Sequence, residues 1–366
     1  MYLSDDLKKK YCHDKSSARD AQRQAEFIAF GPIVFQTARL MLKFGILEML
    51  RDSDKGMTEQ EVAGKTGLSL YAVKCLLEAS LSIGIVIVDP ATDRFSITKT
   101  GWFLINDPAT RVNIDFNHDV NYEGWFHLEE SLREGRPAGL EHFGPWPTVY
   151  EGLSSLPEQV RKSWFAFDHF YSDSSFPEAL EIVFGRKPKT LLDVGGNTGR
   201  WALQCVGYDS DVRVTIMDLP QQIEMMRQAT EGIGGADRID GFGCNMLDDA
   251  QAFPEGPWDA VWMSQFLDCF GEDEILSILS RAARVMTEQS RLYIMETLWD
   301  RQRFEPASLC LTLTSLYFTA IANGNSKMYH SEDMQRLVEK AGMEIEDIRD
   351  GLGQGHSIMI CKKKNQ

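Results

Sequence analysis

The chain has 366 residues, 43% of them hydrophobic and 25% charged, as expected for a soluble globular protein with room for two domains. Its net charge of −16, with no Lys/Arg cluster longer than the three-lysine runs 8–10 and 362–364, disfavours a nucleic-acid partner, because neutralising phosphates requires grouped cations. The seven cysteines are dispersed without C-x-x-C spacing, which indicates reduced thiols in a cytoplasmic protein and no metal site.

The N-terminal part of the chain predicts helices without a targeting segment. Residues 1–20 are polar and of mixed charge, so we expect a flexible N-terminus and no signal peptide. Apolar residues recur at helical spacing from 21 to 51. No apolar run reaches the roughly 18 residues typical of a membrane span, so no membrane partner is expected.

Two helices followed by two short strands predict a winged-helix fold between residues 40 and 98. The first helix begins at a capping-box pattern on Thr58, and the second covers residues 69–81. Strands are predicted at 85–88 and 95–97, around a turn. Winged helices often bind DNA, so a DNA-binding regulator is a minor alternative. The helix 69–81, however, has one Lys and no Arg, and therefore lacks the cations that read bases and phosphates.

A stretch rich in Gly and Pro, residues 135–147, precedes an alternation of strands and helices. The predicted strands are 191–194, 212–217, 260–263, 292–296 and 357–361, and the helices are 221–230, 274–285 and 331–341. This alternation predicts an α/β fold with a Rossmann-like, mainly parallel sheet that binds ligands at the carboxyl ends of its strands. We divide the chain into a flexible N-terminus (1–20), a helical, winged-helix domain (21–110), a helical linker (111–180) and the α/β domain (181–366).

A glycine-rich turn between the first two strands of the α/β domain indicates a nucleoside-binding site. The turn contains Asp193, Gly195, Gly196, Asn197 and Gly199. Its glycines allow a ligand to approach the backbone. The following strand ends at Asp218, next to Leu219, where a carboxylate can accept hydrogen bonds from both ribose hydroxyls.

The spacing of this turn favours S-adenosylmethionine (SAM) over a dinucleotide. Dinucleotide folds use G-x-G-x-x-G to hold a pyrophosphate at a helix N-terminus. Here Asp193 precedes the turn, and a carboxylate repels phosphate but suits the ammonium group of SAM, which carries no phosphate. Asn197 stands in place of a glycine and tolerates positive φ better than a β-branched residue does.

The order of these parts resembles the small-molecule O-methyltransferases that combine a winged-helix dimerisation domain with a class I SAM-binding domain, such as the caffeate and hydroxyindole enzymes. The matching segments are 191–199, 217–220, 258–263, 266–279, 293–297 and 334–342. The resemblance implies SAM as cofactor, methyl transfer to an oxygen of a small, aromatic or apolar acceptor, and a homodimer. It also implies that residues 111–180 contribute to the acceptor side.

The resemblance assigns further residues to the cofactor. Asp193 and the glycine turn would face the methionine end of SAM, and Asp218 would hold the ribose. Asn245 and Met246 would flank the adenine, although the family usually has Asp where this chain has Asn245. Ser264 stands where many members have a Lys near the cofactor.

The chain departs from the family at the catalytic base. In the family a histidine takes the proton from a phenol, and the ungapped alignment puts Asp268 at that position. An unperturbed Asp has a pKa of about 3.9, against about 6.5 for His, and is the weaker base unless burial raises its pKa. We interpret Asp268 as the catalytic base, with an orienting or substrate-binding carboxylate and a surface or capping residue as alternatives. Glu296, by resemblance, would orient the catalytic group. The alternatives are that it binds a substrate hydroxyl or amine, or that it is an N-cap or loop carboxylate.

Three residues are candidate acceptor contacts. His169 lies in an aromatic segment that passes over the cofactor in the family, while Phe266 and Phe318 would line an apolar pocket. A dry pocket strengthens the attraction between a sulfonium and its nucleophile. Packing within the core is the alternative for all three. Because the catalytic histidine is replaced, a SAM-binding protein without methyl transfer, or with altered SAM chemistry, is the second functional hypothesis.

Overall fold

The computed structural model describes residues 1–364, which form two compact units. One unit is Asp14–Asp119, and the other combines Met1–His13 with the chain from Val120 onward. The short N-terminal helix α1 (Asp5–Tyr11) belongs to the second unit, where its Leu7 side chain is fully buried. The structure therefore differs from the predicted flexible segment 1–20, because one buried leucine anchors a largely polar helix.

The unit of residues 14–119 is mainly helical. Its helices are α2 (Ala18–Ala29), α3 (Gly31–Lys43), α4 (Ile46–Arg51), α5 (Glu59–Thr66), α6 (Leu70–Ser82), α7 (Lys99–Asn106) and α8 (Pro108–Phe116). An antiparallel pair, β1 (Val86–Asp89) and β2 (Arg94–Ile97), lies between α6 and α7. Thr58 and Glu61 form the capping box expected at the start of α5.

The helical region predicted between residues 21 and 51 is three helices. It breaks at Phe30 and again at Gly45, whose φ of +68° is a left-handed conformation that glycine adopts readily. No single helix among residues 1–364 meets the length and hydropathy expected of a membrane span, and α2 with α3, bent by 74°, meets them only as a pair.

The second unit is an α/β fold around a seven-stranded sheet. Its remaining helices are α9 (Leu128–Glu134), α10 (Val149–Gly152), α11 (Glu158–Ser172), α12 (Phe176–Phe184), α13 (Arg200–Tyr208), α14 (Pro220–Thr230), α15 (Glu272–Val285), α16 (Glu305–Tyr317) and α17 (Ser331–Lys340). Its strands are β3 (Thr190–Val194), β4 (Arg213–Asp218), β5 (Ile239–Gly243), β6 (Trp258–Ser264), β7 (Met286–Glu296), β8 (Met343–Leu352) and β9 (His356–Lys363). The boundary at residues 119 and 120 replaces the predicted one near residue 110, and helices of the predicted linker pack in this unit.

The strand order is β5-β4-β3-β6-β7-β9-β8, with β9 antiparallel to both neighbours and the other pairings parallel. Strand order reverses at β3, which lies between β4 and β6. In such sheets ligands bind outside the carboxyl ends of the strands at this reversal. The glycine turn follows β3 at that place, so the topology positions the site that the sequence predicts.

Both faces of the sheet are covered by apolar cores. Alternate residues of a strand point to opposite faces. Leu192 and Val194 of β3 therefore join the core beneath α15 and α17, whereas Leu191 joins the core beneath α12, α13 and α14. Asp193 shares the face of Leu191 and so carries a carboxyl group into an apolar layer.

Candidate active site

The turn after β3 requires glycine at two consecutive positions. Gly195 has a φ of +78°, and a Cβ there would lie 2.3 Å from Cδ2 of Phe266. A Cβ on Gly196 would lie 2.5 Å from Oδ2 of Asp193. Asn197 also has a positive φ, of 49°, in keeping with the tolerance of Asn for this region. Gly195 and Gly196 thus leave room for the Phe266 ring and the Asp193 carboxyl to approach the backbone of the turn.

Asp218 ties the glycine turn to the end of β4. Its Oδ2 accepts a hydrogen bond from the backbone N–H of Asn197 at 2.9 Å, and its Oδ1 accepts one from that of Leu219 at 2.7 Å. Each carboxylate oxygen has a second lone pair, so both can still accept a ribose hydroxyl. Burial raises the pKa of Asp218, and the two N–H donors oppose that rise.

Asp193 is a buried carboxyl group with an unsatisfied oxygen. It is 2% exposed, and its Oδ2 has no hydrogen-bond partner among residues 1–364. Burial, with a smaller contribution from the charge of Asp218, raises the pKa of Asp193 to about 8. An unpartnered carboxyl beneath a glycine turn fits an ammonium group, because a cation would supply the missing donor. These residues fit SAM on that observation.

Two of the residues assigned to the adenine side lie in the loop after β5, and the third ends β6. Asn245 is exposed, and its Oδ1 accepts a hydrogen bond from the N–H of Leu247 at 3.0 Å. Met246 is 6% exposed and packs in the core, and Ser264 is the half-buried last residue of β6. Contacts of these three residues with adenine stay predictions.

Glu296 fixes the backbone that carries Asp268. Its Oε1 accepts hydrogen bonds from the N–H groups of Phe266 and Leu267, at 3.1 and 2.9 Å. Its Oε2 has no hydrogen-bond partner within the described chain, although Glu296 is only 3% exposed. Strand β7 ends at Glu296, and β6 ends just before Phe266. The Glu296 carboxyl and the segment that carries Asp268 therefore both lie at the carboxyl edge of the sheet.

The environment of Asp268 makes it a stronger base than an ordinary aspartate. Asp268 is 6% exposed, and burial raises its pKa to about 7, with a further rise from the charge of Asp168. The thiol of Cys269, 3.5 Å from Oδ1 of Asp268, opposes this rise by donating a hydrogen bond. Burial and the charge of Asp268 also raise the pKa of Glu296 well above its usual value. Asp268 thus reaches the range of a histidine, about 6.5.

Several polar residues beside Asp268 do not feature in the sequence prediction. The indole N–H of Trp164 donates a hydrogen bond to the hydroxyl of Tyr317 at 2.7 Å. Tyr150 interacts with the Cys269 thiol, and burial raises the pKa of both groups well above their usual values. Asp168 follows Trp164 by one helical turn on α11, so the two lie on one helix face. That spacing is the sequence signal that could have identified Asp168.

The three candidate acceptor contacts have aromatic surroundings. The ring of His169 lies 5.7 Å from that of Phe165 on α11. Phe266 packs against the glycine turn and lies 4.9 Å from the ring of Phe270. Phe318, 5% exposed, directly follows Tyr317 of the Asp268 neighbourhood. Contact of His169, Phe266 and Phe318 with an acceptor stays a prediction.

Comparison with known proteins gives two family matches. Residues 22–95 match the Dimerisation2-like domain, and residues 125–344 match the O-methyltransferase domain. The mitomycin biosynthesis 6-O-methyltransferase of Streptomyces lavendulae is 25% identical over 83% of this chain and 84% of that protein. The solved structure of the SAM-dependent methyltransferase SibL has a TM-score of 0.70 at 21% identity, over 93% of this chain and 98% of that one. For the mitomycin 7-O-methyltransferase MmcR the TM-score is 0.68 at 20% identity, covering 94% and 98%.

These matches define a class I methyltransferase fold preceded by a helical dimerisation domain, as the sequence predicts. The O-methyltransferase match covers more than half of the chain, so the chain belongs to the O-methyltransferase domain family. It is a SAM-dependent methyltransferase, and the predicted cofactor is confirmed. The winged-helix description and the replacement of the catalytic histidine by Asp268 stay predictions.

We expect cofactor binding to release about one proton per site near pH 7. Asp193 is protonated below pH 8 in the free protein and must ionise to pair with an ammonium group, so binding releases its proton. Titration of S-adenosylhomocysteine in two buffers of different protonation enthalpy measures this release. Asp193→Asn should abolish it, and equal proton release by both proteins would contradict the assignment.

Proposed function

We propose that this protein methylates a hydroxyl oxygen of a small aromatic molecule, with Asp268 as the general base. One observation carries the proposal: a buried carboxyl with a pKa of about 7 lies at the carboxyl edge of the sheet, beside the turn suited to SAM. A base works best when its pKa lies near the working pH, and Asp268 meets that condition without a histidine.

The cofactor, Asp268 and Glu296 have separate roles in the proposed reaction. Bound SAM supplies an electrophilic methyl group on its sulfonium, and S-adenosylhomocysteine is the product after transfer to the acceptor oxygen. Asp268 accepts the hydroxyl proton as the new O–CH3 bond forms, which keeps the protons balanced. Glu296 acts as a positioning residue, because its Oε1 holds the two backbone N–H groups immediately before Asp268. Much of the rate enhancement would come from holding the acceptor in line.

An acceptor screen with methyl-labelled SAM tests this function. Phenols, aromatic amines and aromatic carboxylates are offered in parallel, and the methylated products are identified by mass spectrometry. We expect O-methylated phenols together with S-adenosylhomocysteine. The second hypothesis, SAM binding without methyl transfer, predicts cofactor affinity with no product from any acceptor, and that result would overturn the proposal.

The Cys269 thiol is expected to lower the pKa of the Asp268 carboxyl. Replacing it in Cys269→Ala removes the hydrogen bond to Oδ1 of Asp268, and the midpoint of the rate–pH profile should rise. One neutral hydrogen bond contributes roughly 1 kcal/mol, or a shift of up to about one pH unit. Cys269→Ser keeps a donor and should leave the midpoint near that of the parent. Identical profiles for the alanine variant and the parent would refute this role.

We further propose a homodimer formed through the N-terminal unit. The α2 helix has no buried residue, although it carries an amphipathic pattern, and Phe27, Ile28, Phe30 and Ile33 on α2 and the start of α3 are exposed. An exposed apolar patch of this kind indicates a protein partner. The match of residues 22–95 to a dimerisation domain supports a second copy as that partner. We also propose a cytoplasmic location, supported by seven cysteines that form no disulfide.

A further inference from the structure

The loop after β5 lies on the side of the site where the adenine of SAM belongs. In the strand order, β4 with Asp218 lies between β3, which carries the glycine turn, and β5. A cofactor with its methionine end over the turn and its ribose at Asp218 therefore extends its base toward the end of β5. The N–H of Cys244 donates a hydrogen bond to the backbone carbonyl of Asp218 at 2.7 Å. This bond fixes residues 244–251, which we call the adenine loop, beside the ribose acid.

One buried arginine holds the adenine loop. Arg281 lies on α15 and is 5% exposed. Its Nη1 donates hydrogen bonds to the backbone carbonyls of Asp248, at 3.2 Å, and Gln251, at 3.1 Å. Its Nη2 donates to the backbone carbonyl of Met246. Three carbonyls of the segment 246–251 thus converge on one guanidinium, and the loop curls around the Arg281 side chain.

The positive charge of Arg281 is offset mainly by contacts with this loop. Burying a charge is costly unless hydrogen bonds replace its water. A guanidinium is planar and has five donors, so it can bind several carbonyls at once, which a lysine ammonium does not do in the same geometry. The ring of Phe253, which is 4% exposed, lies 5.7 Å from the guanidinium carbon and adds a cation–π contact. The conformation of the loop therefore depends on Arg281.

Hydrogen bonds of the loop's own side chains complete this arrangement. The N–H of Asn245 donates to Oε1 of Gln251 at 2.9 Å, and Nε2 of Gln251 donates to Oδ2 of Asp248, also at 2.9 Å. The hydroxyl of Ser277 on α15 donates to the carboxylate of Asp249. The beginning and the end of the loop are thus joined to each other and to α15, while Asn245 remains exposed.

We infer that Arg281 is a positioning residue for the adenine of SAM, and that its buried guanidinium acts through the conformation of the adenine loop. The inference goes beyond the proposed methyl transfer, because it concerns recognition of the cofactor alone. It rests on the cofactor orientation that Asp193 and Asp218 define. Loss of Arg281 should weaken recognition of the base and leave the contacts with the ribose and the methionine end in place.

Two compounds that differ only in the base test the inference by calorimetry. S-Adenosylhomocysteine carries adenine, whereas S-inosylhomocysteine carries hypoxanthine on the same ribose and homocysteine. We expect the parent to prefer the adenine compound by at least about tenfold, because hypoxanthine replaces the amino donor with a carbonyl and leaves its partner unpaired.

The Arg281 variants should remove this preference. In Arg281→Met the affinity for S-adenosylhomocysteine should fall at least about tenfold, to that of the inosine compound, whose own affinity should change less than about threefold. Arg281→Lys keeps the charge without the planar set of donors and should give an intermediate preference. Gln251→Ala releases the N–H of Asn245 and should also reduce the preference, by less than Arg281→Met does.

Arg238 provides a matched control outside the adenine loop. Its guanidinium also donates hydrogen bonds to three backbone carbonyls, those of Val206, Asp209 and Val212. Arg238→Met should therefore lower the melting temperature but leave the preference for adenine unchanged. The melting temperature of every variant is measured, so that a general loss of stability is distinguished from a change in base recognition.

The inference is overturned if the parent binds both compounds equally, if Arg281→Met keeps the full preference, or if Arg238→Met loses it. An equal loss of affinity for both compounds in Arg281→Met also overturns it, because that result indicates general destabilisation. If Arg281→Met does not fold, Arg281→Lys and Gln251→Ala decide the question. Binding is measured without an acceptor, so a protein that methylates no acceptor refutes the proposed function alone. A protein that methylates phenols but keeps its adenine preference in Arg281→Met refutes this inference alone.

Discussion

Asp268→Asn is expected to slow methyl transfer by at least about 100-fold, the usual contribution of a positioned general base. The amide keeps the shape of the side chain but cannot accept the hydroxyl proton at neutral pH. Affinity for SAM should change less than about twofold, because the assigned cofactor contacts lie on other loops. Single-turnover rates together with calorimetry separate the two effects.

The pH dependence gives an independent readout of Asp268. A base must be ionised, so with a pKa of about 7 the parent rate should rise with pH below 7 and level off above it. This rising limb of the rate–pH profile should be absent from the residual activity of Asp268→Asn. Asp273→Asn, which removes an exposed carboxylate from the first turn of α15, should retain both the rate and the limb. A full rate in Asp268→Asn would remove this residue from catalysis.

A melting curve distinguishes a catalytic effect of Asp268→Asn from loss of the fold. The folded-state pKa of Asp268 is raised above its unfolded value of 3.8, so ionisation of this group lowers stability as pH rises from about 4 to about 7, and the cost stays constant above that pH. An amide cannot ionise and avoids this cost. The melting temperature of Asp268→Asn at pH 7.5 should therefore not fall below that of the parent.

Asp218→Ala should weaken the binding of SAM or S-adenosylhomocysteine by at least about 100-fold, because hydrogen bonds to a charged group contribute roughly 1.5–3 kcal/mol each. The change removes the acceptors for the ribose hydroxyls. It also frees the N–H groups of Asn197 and Leu219, which position the turn.

Two further variants refine the assignment of Asp218. Asp218→Asn retains one acceptor oxygen and should bind S-adenosylhomocysteine with an intermediate affinity. Asp240→Ala removes an exposed carboxylate from the neighbouring strand β5 and serves as the control. Unchanged affinity of Asp218→Ala in calorimetry would contradict the assignment of the ribose contact.

The cofactor side of the site was readable from sequence because its residues are local. The turn after β3 and Asp218 at the end of β4 fall within one βαβ unit, where spacing alone places them together.

Strands β5 and β8 were not predicted from the sequence, and the reason lies in their own residues. The sequence of β5 contains two glycines, and β8 is an acidic strand at the sheet edge, so neither shows a continuous apolar pattern.

The acceptor side was not readable in the same way. Tyr150, Asp168 and Tyr317 come from separate helices or their neighbourhoods, and only the tertiary fold brings them to Asp268 and Cys269. The periodicity of hydrophobic residues indicates helices and strands, but it does not show which distant residues come together in the fold. The raised pKa of Asp268 has the same origin, since it depends on burial by residues distant in the sequence.

The docked helix α1 has a consequence for the synthesis of the protein. The Ser4 hydroxyl donates a hydrogen bond to the backbone carbonyl of Gln302, 298 positions later in the chain, and the N–H of Ser4 donates one to the backbone carbonyl of Asp300. At roughly 5–20 residues per second, α1 leaves the ribosome about 15–60 s before the surface on which it packs. During that interval the unit of residues 14–119 can fold first. Helix α1 is therefore among the last elements to reach its native place, and shortening the chain to residues 120–366 would leave the site of Leu7 uncovered.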